Sequence, residues 1–69
     1  MVNLKKIREE RKKKGITQKQ MANLLGYKSD IAYLYIEKGI RKLKADCFIK
    51  IAKILEIDIN ELIQEDKND

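Results

Sequence analysis

Apolar side chains recur at three- and four-residue intervals along this chain, and the recurrence breaks at Gly15, Gly26 and Gly39. Such a period buries one stripe of an α-helix, whereas a half-buried strand would alternate. Leu4, Ile7 and the stem of Arg11 form one stripe, which predicts a helix over about residues 3–14. Lys12, Lys13 and Lys14 fill its last turn, where cations suit the helix dipole, and Gly15 follows at the usual stop position. Thr17 and Gln20 have the spacing of a capping box, and Ile16 and Met21 that of a hydrophobic staple. A second helix therefore starts at Thr17, buries Met21, Ala22 and Leu25, and stops at Gly26. A third is expected from Ser29 or Asp30, both good N-caps, to just before Gly39. Phe48, Ile51, Ala52 and Leu55 follow the i, i+3, i+4, i+7 rule and predict a fourth helix over residues 45–55. Asp58 with Glu61 and Ile57 with Leu62 repeat the start signals of the second, which predicts a fifth helix to about Gln64. The expected fold is all-α, with one domain over residues 1–64 and a frayed acidic tail over 65–69.

Composition narrows what such a fold can do. A chain of 69 residues buries only about 60% of its unfolded surface, which leaves little room for a deep catalytic cleft. Histidine is absent and Cys47 is the sole cysteine. Within one chain this excludes a disulfide framework, a zinc site and a Ser–His or Cys–His nucleophile pair. Cys47 is expected to be a small, buried or half-buried packing residue. No enzyme activity, cofactor or small-molecule ligand is expected. The longest apolar run, residues 31–36, falls far short of the roughly 18 residues of a membrane span. The first residues lack the apolar core of a signal peptide, so the expected location is cytoplasmic.

Charge adds a direction. Lysine and arginine number 16 against 11 acidic residues, a net charge of +5. Residues 1–55 carry 15 basic and 5 acidic side chains, a net +10, whereas residues 56–69 carry one basic and six acidic, a net −5. A cationic body with an acidic end favours a polyanionic partner such as nucleic acid.

The stretch from Gly15 to Gly26, GITQKQMANLLG, resembles the first half of a helix-turn-helix unit. Ile36-Glu37-Lys38-Gly39 resembles the end of its second helix. Ile51-Ala52-Lys53-Ile54-Leu55, followed by Asp58-Ile59-Asn60-Glu61-Leu62, resembles a closing pair of helices. Together, over about residues 3–63, they are similar to the phage-repressor/Cro-like (Xre-type) DNA-binding regulators. The resemblance implies a compact five-helix, lambda-repressor-like domain whose second unit helix enters the major groove. It implies phosphate contacts from Thr17, Gln18, Lys38, Arg41, Lys42 and Lys44. It also implies a partly buried ion pair between Arg11 and Glu37, and a dimer contact around Ile59 and Ile63.

Two features depart from the family pattern. The span from Gly26 to Glu37 is one residue longer than usual, which places the extra residue in the turn Tyr27-Lys28-Ser29. The recognition helix is also unusually apolar. Counting back from Glu37 turns Ala32, Tyr33 and Ile36 inward and leaves Lys28, Ser29, Asp30, Ile31, Leu34 and Tyr35 toward bases. The expected function is a homodimeric, sequence-specific repressor on an inverted-repeat double-stranded DNA operator. The alternative is a protein-interaction module, an antirepressor or antitoxin-like partner, using Ile31, Leu34 and Tyr35 as its interface.

Overall fold

Residues 2–63 are described by the computed structural model. Four α-helices, α1 (Leu4–Lys13), α2 (Gln18–Leu24), α3 (Asp30–Glu37) and α4 (Ala45–Leu55), precede one turn of 3-10 helix at Ile59–Leu62. The local signals act as the sequence implies. The Asn3 side chain accepts the Lys6 amide at 3.1 Å and opens α1. Thr17 opens α2 through a complete capping box: its hydroxyl accepts the Gln20 amide at 3.0 Å, and its own amide donates to the Gln20 side chain at 2.8 Å. Ser29 opens α3 by accepting the Ile31 amide at 3.2 Å.

The stops share one geometry. At the end of α2, Gly26 takes φ +86°, the Gly26 amide donates to the Asn23 carbonyl at 3.0 Å, and the Tyr27 amide donates to Ala22 at 2.9 Å. This paired reversal satisfies the last carbonyls of α2 and turns the chain sharply toward α3. The end of α4 makes the same two bonds, from Glu56 to Lys53 and from Ile57 to Ala52. There the left-handed residue is Glu56, at φ +58°. Its Cβ is strained in that region. The Glu56 carboxylate lies 2.7 Å from Lys14 Nζ, and that hydrogen bond and charge hold its pKa below the ordinary carboxylate range.

Ile7 and Arg11 of α1, Met21 and Ala22 of α2, Tyr33 and Ile36 of α3, and Ile51, Ala52 and Leu55 of α4 are buried, with Leu25 and Leu62 beside them. α2 packs chiefly on α3, while α1 touches α3, α4 and the closing 3-10 helix. Cys47 is half-buried on α4, and its Sγ lies 3.6 Å from the Tyr27 hydroxyl, which pins the α2–α3 turn against α4. That hydrogen bond first, and burial second, raise the Tyr27 pKa.

The fifth helix differs from expectation. It is a four-residue 3-10 turn, so among the described residues the fold has four α-helices rather than five. Asp58 caps the Asn60 amide at 2.8 Å instead of the Glu61 amide, and the Glu61 amide bonds the Asp58 carbonyl at 2.9 Å. The Glu61 carboxylate points to Lys6 Nζ at 3.6 Å and does not complete a box. The chain then straightens. Ile63 is extended, Val2 and Ile63 form an antiparallel bridge, and the Asn3 amide donates to the Leu62 carbonyl at 2.7 Å. Pairing with the N-terminal segment captures a carbonyl that a longer helix would need. Gln64 and the expected acidic tail over 65–69 lie outside the described residues.

Leu62 is fully buried and plugs the base of the core. Leu62→Ala is expected to cost about 2–5 kcal/mol, the usual range for emptying a buried leucine site. Urea unfolding measures the cost, and amide exchange at Asn3 is expected to accelerate with it. A loss well below that range would show that the 3-10 segment is only loosely docked.

Candidate nucleic-acid interface

The outer part of α3 is prepared from below by a buried ionic cluster. Arg11 Nε donates to Glu37 Oε2 at 2.7 Å, and Nη2 donates to Oε1 at 3.3 Å. The third arm of the guanidinium, Nη1, donates to the Ile16 carbonyl at 2.7 Å. Only 7% of the Arg11 side chain and 3% of the Glu37 side chain remain exposed. Gln18 joins the cluster, its Nε2 donating to Glu37 Oε1 at 3.3 Å. Burial alone would raise the Glu37 carboxyl, but the Arg11 hydrogen bond, with Tyr33, Gln18 and the Arg11 charge, outweighs it and holds the pKa below the ordinary range. Tyr33 is fully buried next to this carboxylate, and among the described residues its hydroxyl makes no hydrogen bond of good geometry. Burial first, and Glu37 second, push that phenol far above its usual value.

This cluster ties α1, the α1–α2 loop, α2 and the C-terminal end of α3 into one frame. With Tyr33 and Ile36 inside, Ser29, Asp30, Ile31 and Tyr35 are left exposed. Leu34 departs from the base-facing expectation. It is half-buried and shares a groove with Leu4 and Arg8, because α1 lies along that edge of α3. Ala32 is half-buried rather than enclosed.

Exposed cations surround the face. Lys28 precedes α3, and Lys38 ends it. The Ile40 and Arg41 amides both donate to the Tyr35 carbonyl, at 2.9 and 3.1 Å, which fixes the start of the following loop. Arg41, Lys42 and Lys44 then line one hollow with Tyr27. Lys5, Arg8, Gln18 and Lys38 line the groove that holds Leu34. Thr17 is exposed at the start of α2.

Residues 7–62 match the family model described as helix-turn-helix, of the Cro/C1 type. The chain belongs to this helix-turn-helix family. It is a DNA-binding regulatory family. No curated protein gives a significant match to the chain. In this helix-turn-helix protein α2 is the first helix of the unit and α3 the second. The turn between them holds Tyr27 and Lys28, with Ser29 as the cap of α3. Among the described residues no helix is long and apolar enough to cross a membrane.

Sequence reasoning missed Lys5 and Arg8. Their three-residue spacing puts them on one face of α1, but nothing local shows that this face borders Lys38. On the expected fifth helix Ile59 and Ile63, four residues apart, would share one face, and that face does not form. Ile59 packs partly against the core, and Ile63 lies past the 3-10 turn in extended chain, exposed.

Removing one member of the Arg11–Glu37 pair strands a buried charge. Arg11→Met is therefore expected to cost about 3–5 kcal/mol. Acid acts on the same pair. Because the folded-state pKa of Glu37 is depressed, its contribution is complete above the unfolded carboxyl value near 4.3. It is lost as pH falls through the lower folded value. Wild-type stability is expected to decline on acidification, whereas Glu37→Gln is expected to be weaker at neutral pH and flatter over the acid range. Chemical unfolding at a series of pH values measures both, and an unchanged acid slope in Glu37→Gln would contradict the assignment.

Proposed function

We infer that this protein is a sequence-specific, double-stranded-DNA-binding transcriptional repressor that acts in the cytoplasm by occupying an operator. One observation carries the reading: the outer face of α3 is exposed on a rigid frame, with Lys5, Arg8 and Lys38 along the groove beside it and Arg41, Lys42 and Lys44 in the loop that follows it. Cations that border a helix suit the phosphate walls of a major groove, which is wide enough to admit that helix. Lys38, Arg41, Lys42 and Lys44, with Thr17 and Gln18 at the start of α2, hold the backbone. Lys5 and Arg8 extend that grip along α1. Lys28, Ser29, Asp30, Ile31 and Tyr35 face the bases, and Leu34 supports their edge. Phosphate contacts position the protein, and base contacts give the sequence preference.

A domain this small reads few base pairs, and a homodimer doubles the site. Two copies related by a two-fold axis would read an inverted repeat with half-sites about 34 Å apart. We place the dimer contact at exposed Ile63, with Ile59 behind it. The exposure of Ile31 and Tyr35 also favours a second reading, in which the same face docks on a protein.

Binding to the chain's own upstream region and to random duplex, measured by anisotropy over a range of salt, separates these readings. Tighter binding to the upstream duplex is expected, with log affinity falling steeply against log salt, about 0.9 per neutralised phosphate. Arg8→Gln is expected to weaken both duplexes alike and to lower that slope by about one. Equal affinity for the two duplexes would rule out a specific operator. Loss of a protein complex in an Ile31→Ser, Tyr35→Ser variant, with DNA binding intact, would favour the second reading.

A further inference from the structure

Ser29, Asp30, Ile31 and Tyr35 are exposed at the cap and outer face of α3, and none bears an amide, amine or guanidinium. Paired readout of guanine uses the donors of Arg or Lys, and paired readout of adenine uses the amide of Asn or Gln. Asp30 offers only acceptors when ionised. The Ser29 hydroxyl already accepts the Ile31 amide at 3.2 Å. Lys28 is the one amine of the set placed toward the bases, and it lies in the turn that precedes α3. In place of hydrogen-bonding forks the helix presents apolar area. Ile31 is 51% exposed and Tyr35 40% exposed. Four residues apart, they are neighbours on one face.

A base-pair edge in the major groove offers one apolar group, the 5-methyl of thymine. Cations at both ends of the same helix, Lys28 before it and Lys38 and Arg41 after it, favour a polyanion on that face. A duplex satisfies both demands, charge at the walls and methyl groups on the floor. We propose that this chain selects its operator through thymine methyl groups packed on Ile31 and on the ring of Tyr35, and not through paired hydrogen bonds to purines. The operator class is then double-stranded DNA with one or two decisive thymines in each half-site. This rests on the DNA-binding function inferred above and adds what the recognition helix reads.

The test begins with duplexes enriched by the wild-type protein from a random pool. Each thymine of the enriched duplex is then replaced singly by deoxyuridine, which deletes only the methyl group. At one or two positions per half-site affinity is expected to fall about fourfold, the weight of one buried methyl. In Ile31→Ala the penalty at its position is expected to vanish, and Tyr35→Ala is expected to remove the other. Both side chains lie outside the core, and circular dichroism verifies that the variants fold. Enrichment of a duplex that is indifferent to every uracil replacement, or one that depends instead on guanine N7 when probed with 7-deazaguanine, overturns thymine readout and leaves DNA binding standing. Absence of any enriched duplex removes specific DNA binding itself, and this inference with it.

Discussion

A guanidinium and a carboxylate that both leave water must recover in geometry what they lose in hydration. In this protein Arg11 does so with all three arms, two on Glu37 and one on the Ile16 carbonyl. Neither charge tolerates a shift of the other, because a displaced partner leaves an ion in a poorly solvated interior. Four pieces of chain are held to one arrangement as a result: α1 through Arg11, the α1–α2 loop through Ile16, α2 through Gln18, and α3 through Glu37. An apolar contact would be more permissive, since hydrophobic attraction has no preferred direction. The aim of the outer residues of α3 is held at its C-terminal end by this pair, while the Ser29 cap fixes where the helix starts.

The cations of α1 divide along similar lines. Lys6 lies 3.6 Å from the Glu61 carboxylate and Lys14 lies 2.7 Å from that of Glu56, both on the segment that closes the fold. Lys5 and Arg8 make no ion pair among the described residues and line the groove beside Lys38. The acidic bias after residue 55 therefore offsets positive charge on one part of the molecule. It leaves the part that borders α3 cationic. Individually such surface pairs stabilise little, but they shape where the field points.

Most of the helices were legible because their signals are local. The Thr17–Gln20 box, the glycine after α2 and the i, i+3, i+4, i+7 series of α4 each lie within a dozen residues, and each formed. Arg11 and Glu37 stand 26 residues apart, and no spacing rule joins them. Their pairing was foreseen only through the resemblance to a known family. What remained hidden is non-local. The start signals at Asp58 were real, yet a backbone hydrogen bond from Asn3 to Leu62 ends the helix after one turn. A helical wheel puts Leu34 outward with Ile31, but it cannot show that α1 lies against that edge. The same blindness hid that Lys5 and Arg8 line one groove with Lys38.

The exposed residues of α3 carry little of the architecture. Among the described residues Ile31 and Tyr35 make no side-chain hydrogen bond and sit outside the core cluster, whereas Ser29 must also cap its helix. On the proposed function, duplicated copies of the gene are free to drift at Ile31 and Tyr35 and to acquire new genomic addresses, with folding almost untouched. The scaffold separates what must be inherited from what is open to adaptive change, and the second set amounts to a few side chains on two turns of backbone.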